Sequence, residues 1–217
     1  MTNLQKALSV LACVVALWIG SFTALWRYST PVEAAPVWTV VNGAILEDYS
    51  SPPMITPTVT LQATGGPNWR FATQPVGATF RIISRLNCAM NAIQTARSCG
   101  MFLYDGTKVE AFDLLWTGAN LDPSLRIVTT TTVSGSPTTL AGPTSNLVGT
   151  GVTLQIIDNG TTRTFYYWKN GGFTQFYQEA SHTFLVPTSA GFGGGEFANA
   201  AGTLMSVMCM IWSYQLS

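Results

Sequence analysis

Charge is what this sequence has least of. Ten basic and ten acidic residues leave a formal net charge of zero, and charged residues make up only 9% of the 217 positions, against about 25% in an ordinary soluble domain. Nucleic-acid binding draws on clustered Lys and Arg to displace counterions, and no window of the chain holds such a cluster, so a nucleic-acid partner is excluded. Histidine is nearly absent: His182 stands alone. There is no Cys-x-x-Cys pair and no His cluster, so the spacing that holds zinc is missing. No metal or other cofactor is expected. The loop oxygens of Asp105, Asp122, Asp158 and Asn159 are of the kind that calcium takes, but they are not grouped.

Four cysteines are too few for a disulfide scaffold. Cys13 and Cys209 lie in apolar runs. Cys88 and Cys99 bracket the short segment "CAMNAIQTARSC". A disulfide between neighbouring strand ends and a pair of unbonded thiols both fit this spacing, because geometry decides between them.

Long hydrophobic runs are rare as well, with one exception. Residues 7–26, "ALSVLACVVALWIGSFTALW", carry no charge, follow Lys6 and precede Arg27. The run is long enough to cross a bilayer as a helix. Three readings stand: a secretory signal peptide, with small residues around Ala34 and Ala35 as a cleavage site; an uncleaved membrane anchor; and a helix buried in an assembly of copies. The last rests on Leu4, Leu8, Leu11, Val15, Trp18, Phe22 and Leu25, which recur alternately four and three apart. The domain plan is therefore a hydrophobic helix over 1–27, a linker over 28–36 with two prolines, and a folded body over 37–217.

In the body, helical periodicity is what is missing. Short alternating or β-branched runs recur between Gly, Pro, Asn and Ser clusters, among them "VWTVV", "TFRIISRLN", "KVEAFDLLW", "VTLQIID", "RTFYYWK", "TFLVP" and "LMSVMCMIWSYQL". A dozen short strands in one domain predict an all-β fold of two packed antiparallel sheets. Asn159-Gly160 and Asn170-Gly171 are turn pairs that make residues 152–179 a three-stranded meander. Alternation sends Phe165 and Tyr167 to one face and Tyr166 and Trp168 to the other. The Thr-, Ser-, Gly- and Pro-rich segment after "SLRIV" reads as a long surface loop or edge excursion.

Taken in order, "NWRFATQPVGATFRIISRL", "GMFLYDGTKVEAFDLL", "VTLQIIDNGTTRTFYYWKNGGFTQFYQE", "AGFGGG" and the closing "GTLMSVMCMIWSYQL" resemble the concanavalin A-like, or laminin G-like, jelly-roll sandwich. They are similar in particular to versions found in bacteriophage virion and tail-fibre proteins. The resemblance covers residues 37–217 and implies the sandwich fold, with a frequent role in glycan recognition or particle assembly.

Enzymatic versions of this fold set paired carboxylates on alternate positions of one strand. The nearest pair here, Glu110 and Asp113, has an odd offset that sends the two side chains to opposite faces. His182 reads as a solvated loop residue, and "GFGGGE" as close strand packing or a bulge rather than a phosphate loop. What remains is aromatic: Trp69, Tyr104, Trp116, Tyr166, Trp168, Phe173 and Tyr177 offer flat rings for sugar faces. The sequence points to Trp168, Tyr166 and Trp116 as binding rings, with Arg126 and Lys169 as hydrogen-bonding partners at the rim.

Two functions follow as expectations. One is a non-enzymatic phage virion or tail-associated module that binds other copies of itself, other virion proteins or a host-surface glycan. The other is an exported bacterial lectin-like protein, secreted or held at a membrane by residues 7–26.

Overall fold

Strict alternation over Phe80–Met90 sets the pattern of the body. Phe80, Ile82, Ser84, Leu86 and Cys88 are buried, whereas Arg81, Ile83, Arg85 and Asn87 point the other way. A strand with one apolar side needs a second layer against that side. The computed structural model describes residues 37–47, 57–62, 67–90, 97–117, 123–144, 151–180, 182, 184–196 and 204–216. Residues 38–217 form one compact unit. The hydrophobic run and the proline linker read from the sequence lie outside the described residues.

Fourteen strands are described: β1 (Thr39–Val41), β2 (Ile45–Glu47), β3 (Thr58–Gln62), β4 (Asn68–Pro75), β5 (Phe80–Met90), β6 (Arg97–Tyr104), β7 (Val109–Trp116), β8 (Ser124–Thr130), β9 (Thr138–Thr144), β10 (Gly151–Asp158), β11 (Thr162–Lys169), β12 (Gly172–Ala180), β13 (Ser189–Glu196) and β14 (Leu204–Leu216). They form two antiparallel sheets of seven. The first runs β1-β4-β13-β6-β7-β8-β9, the second β12-β11-β10-β5-β14-β3-β2. The expected all-β sandwich is thus what the body forms. Sequence-distant strands lie side by side, β13 between β4 and β6 and β14 between β5 and β3, and these long-range pairings close each sheet.

One core joins the inner faces. Phe112 of β7 meets Phe165 of β11 edge-to-face at 5.4 Å, and Trp38 packs at 5.0 Å on Phe192 and at 5.1 Å on Trp212. Phe80, Ile82, Phe112, Leu154, Ile156, Phe165, Phe192 and Val207 are all 0% exposed, each contributing about 1.5–3 kcal/mol by burial. Cys88 on β5 and Cys99 on β6 are joined in a disulfide whose Cα atoms lie 6.6 Å apart, which resolves the pairing that spacing alone left open.

A second, smaller core lies on the outer face of the first sheet: Trp69, Phe71, Phe102, Val109, Ala111 and Val128. Phe71 on β4 and Phe102 on β6 stack with ring centroids 4.8 Å apart and planes 5° apart, although β13 runs between their strands and places them about 10 Å apart at the backbone. The outward positions of β13 at that level are Gly193, opposite Phe71, and Gly191, opposite Phe102. With no side chain there, the rings lie across the strand and touch. A Cβ on Gly191 or Gly193 would overlap the backbone of β4 at Ala72 and Arg70. "GFGGGE" is therefore close strand packing, as its composition suggested.

Several expectations need correction. The run "TFLVP" forms no strand in its described part, 184–187; its Leu185 is buried instead and its carbonyl accepts a bond from Arg163. The Thr-rich segment is the expected edge excursion rather than only a loop: it contains β9, at the edge of the first sheet, and its residues 131–137 fold back on the outer face, where Trp69 donates to the carbonyls of Val133 and Gly135. Asn159-Gly160 is not a two-residue turn with both residues at positive φ. Only Gly160 is (φ 82°), and the reversal is closed by Asn159, whose side chain accepts from Thr161 and Thr162. Asn170 and Gly171, at φ 51° and 86°, do form the expected tight hairpin.

Candidate functional site

The aromatic residues picked out by sequence separate into three places. Trp116 is 1% exposed and belongs to the inner core, so it is unavailable to a ligand; its even offset from Glu110 and Phe112 puts it on the inward side of β7. Trp69 is fully buried in the outer core of the first sheet, with Tyr104 packed beside it. Tyr177 is partly buried against the inner core. Only Trp168, Tyr166 and Phe173 share an outward face.

That face belongs to the second sheet. Phe165 is wholly buried and Tyr167 packs partly against the inner core, so Tyr166 and Trp168 point outward, as the alternation predicts. Trp168 is 47% exposed. Its cross-strand partner is Phe173, and the two rings meet edge-to-face at 5.1 Å. Tyr166 lies next to Gln155 of β10, and Gln155 next to Ile83 of β5. One pair further along, Thr153 of β10 is paired with Arg85, and Arg85 with Ile211 of β14. The outer face thus runs from an aromatic end on β11 and β12, through amide and hydroxyl side chains, to Arg81 and Arg85 and an apolar strip of Met208, Met210 and Ile211. Lys169 is exposed at the hairpin tip beside Trp168.

Arg126, expected at the rim, is instead 6% exposed and forms a two-point ion pair with Asp113, at 2.8 and 3.1 Å. Both sit on the outer side of the first sheet, away from Trp168. A planar guanidinium matched to a carboxylate on the neighbouring strand is a stable buried arrangement, which is why the side chain does not reach out.

The titratable groups are concentrated inside. Arg163 is fully buried on the inward side of β11, bonded to Asp158 at 3.0 Å, to Glu179 at 2.8 Å and to Glu110 of the facing sheet. His182 is a correction to the solvated-loop reading: its Nε2 lies 2.7 Å from Asp158 Oδ1. Three carboxylates around one guanidinium leave an excess of negative charge in a dry place. Burial, with the nearby Glu179 and Asp158 carboxylates, outweighs Arg163 and pushes the Glu110 carboxyl up to about 8. Burial also raises Glu179, against the pull of Arg163 and His182. Burial thus favours the protonated form of Glu110. Sequence reasoning missed this cluster, although a signal existed: Arg163 is in phase with Phe165 and Tyr167, and a charge at an inward position requires partners.

Glu110 and Asp113 do lie on opposite sides of their strand, one in this cluster and the other with Arg126. The calcium-type oxygens are engaged elsewhere: Asp105 accepts from Thr107 and Lys108, and Asp158 faces Arg163 and His182; Asp122 lies outside the described residues. No group of three or more metal-ligating side chains occurs among the described residues. The Cys209 thiol is buried and pushed up to about 12 by that burial, which leaves it unreactive at neutral pH.

Solved structures share this architecture. The shared fold is a two-sheet antiparallel β-sandwich. A functionally unknown protein from Saccharomyces cerevisiae matches at TM-score 0.59 with 10% identity, over 83% of this chain and 96% of that one. A legume lectin-like domain from Entamoeba histolytica matches at 0.50 with 11% identity, over 83% and 90%. The GH43B protein of a Bacteroides ovatus xyloglucan PUL matches at 0.55 with 12% identity, over 83% of this chain, which spans 36% of that longer one. At these identities the likeness is one of fold. No protein-family model and no curated protein matches the chain.

Proposed function

We propose that residues 38–217 form a non-catalytic glycan-binding module, and that it serves as an adhesion or structural domain of a bacteriophage virion. One observation carries the binding reading: Trp168, Tyr166 and Phe173 line the outer face of the second sheet, beside amides and hydroxyls, with Trp168 half in solvent. An aromatic ring that stacks on sugar C–H surface, next to neutral hydrogen-bonding side chains, is the usual chemistry of carbohydrate recognition. The non-catalytic reading is supported by where the carboxylates lie. Glu110, Asp158 and Glu179 are held inward by Arg163, and none of the outward residues of β5, β10, β11, β12 and β14 described here is acidic. The virion reading draws on the sequence resemblance, and the exposed strip Met208, Met210 and Ile211 offers a surface for neighbouring copies or other virion proteins.

The test is binding of the full-length protein to a panel of bacterial surface polysaccharides, with release of reducing sugar measured in parallel. Binding that depends on Trp168, without turnover, is expected. Turnover would overturn the non-catalytic reading.

The disulfide favours a second reading. Cys88–Cys99 is a bond that persists in oxidising compartments, so a bacterial lectin-like domain, secreted or anchored outside the cytoplasm, fits the same face. Intact mass of the natural protein distinguishes the two: loss of residues 1–34 supports export, and the full-length chain in purified particles supports the virion.

A further inference from the structure

The zero net charge of the chain conceals a segregation. Inside the body, Arg163 faces three carboxylates, and Arg126 is matched to Asp113. Those two ion-pair systems take four of the ten acids in the sequence. On the outer face of the second sheet the balance is reversed. Arg81 and Arg85 both point outward from β5, and none of the described outward residues of β5, β10, β11, β12 and β14 is a carboxylate that could pair with them. Arg85 is exposed, and the Nε of Arg81 is buried without a hydrogen-bond partner. Gln155, on the same face between Tyr166 and Ile83, is 4% exposed, and its Oε1 is likewise without a partner. Those two atoms are out of reach of a ligand, whereas the exposed guanidinium of Arg85 is open to one on this face.

From this we infer that the ligand of the face is an acidic glycan, one bearing a carboxylate or phosphate group, rather than a neutral one. The inference rests on the glycan reading above. Continuing the register puts Trp168 of β11 level with Thr153 of β10, which pairs with Arg85 of β5. The ring and the guanidinium are therefore two strands apart, about 10 Å, a span that lets one sugar stack on Trp168 while a nearby unit of the same chain presents its anion to Arg85. The planar fork of arginine matches carboxylate and phosphate oxygens through two parallel hydrogen bonds, which a neutral hydroxyl cannot accept as strongly.

Affinity electrophoresis of the full-length protein tests this with three probes: polygalacturonate, which carries a carboxylate on each ring; poly(glycerol phosphate), which carries the anion without a ring; and neutral galactan. Polygalacturonate should bind at least about tenfold more tightly than galactan at low salt, since a charge-assisted hydrogen bond at Arg85 is worth about that factor. Arg85→Gln should remove this preference and leave the melting temperature unchanged, with Arg85→Lys intermediate. Trp168→Ala should weaken polygalacturonate binding, and poly(glycerol phosphate) binding sensitive to Arg85 but not to Trp168 would identify phosphate as the anion. Galactan bound as tightly as polygalacturonate, through Trp168 and without regard to Arg85, would overturn the acidic ligand and keep the glycan reading. No retardation by any polysaccharide, across these probes and the surface panel, would overturn both. Binding of polyanions that survives both substitutions would be diffuse charge attraction and would also overturn the inference.

Discussion

The two sheets of this domain each have an outer face rich in aromatic residues, and they use them differently. On the first sheet, Trp69, Phe71 and Phe102 are wholly buried, because β13 offers only glycine at Gly191 and Gly193 and residues 131–137 fold over the rings. On the second sheet, Trp168 and Phe173 touch each other and Trp168 remains 47% exposed. The charges follow the same division, since Arg126 on the first face is paired with Asp113 and Arg85 on the second is exposed. A count of aromatics therefore says little about a binding site. The size of the neighbouring side chains and the path of the next loop decide whether a ring is core or surface.

The largest effect should come from filling the glycine strand. In Gly193→Ala the new methyl would overlap the Arg70 carbonyl and the Phe71 backbone, so β4 and β13 would have to separate. We expect a loss of about 3 kcal/mol or more, or no folded domain. On the second sheet, Gly172→Ala meets nothing within 4 Å and should leave the melting temperature almost unchanged. If thermal denaturation ranks the two the other way, the account of how the first face is covered fails.

The next effect separates inward from outward on a single strand. Phe165 is wholly buried and packs on Phe112 at 5.4 Å, so Phe165→Ala should cost about 3–5 kcal/mol through the cavity it leaves. Chemical denaturation of this variant would measure it directly; a cost under about 1 kcal/mol would mean that the core closes around the gap.

How far the sequence alone led differs between these regions for a physical reason. Alternation is local, so the strands, the inward position of Phe165 and the outward position of Trp168 were all legible along β11. The mistakes concern contacts made across the fold. Trp116 and Arg126 look like a free ring and a free cation until β7 and β8 are set against their neighbours, and His182 looks solvated until Asp158 arrives from a residue 24 positions away. Arg163 shows the same limit: its inward phase is readable along β11, but its partners Glu110 and Glu179 lie 53 and 16 residues away.

That interior cluster predicts a pH response which the open face lacks. Unfolded Glu110 loses its proton near the ordinary value of 4.5, whereas in the folded domain it keeps it to about 8. Between those limits the folded state holds the extra proton, so stability falls as pH rises, by at most about 1.4 kcal/mol per pH unit, and levels off above 8. Arg163, Glu179 and Asp158 act on this group, with His182 behind Asp158, and Glu110→Gln removes its titration together with its influence on Glu179. Melting temperatures from pH 5 to 9 should therefore show the variant gaining on the native protein up to pH 8. Parallel curves would mean that Glu110 is ionised throughout.

The smallest stability effect and the most informative binding effect meet at Trp168. About half of its surface is already in water, and its ring contact is with Phe173, at the edge of the sheet on β12. Removing it forfeits little burial, so Trp168→Ala should cost less than about 1 kcal/mol, well below the cost at Phe165. The same substitution deletes the flat apolar surface on which a sugar ring would stack, and binding to any recognised polysaccharide should fall at least about tenfold while the melting temperature hardly moves. Losing both together would make Trp168 a structural member of the sheet, equivalent to the buried rings opposite. Losing neither would leave the second face exposed but idle, and binding would then have to be sought along the apolar strip of β14.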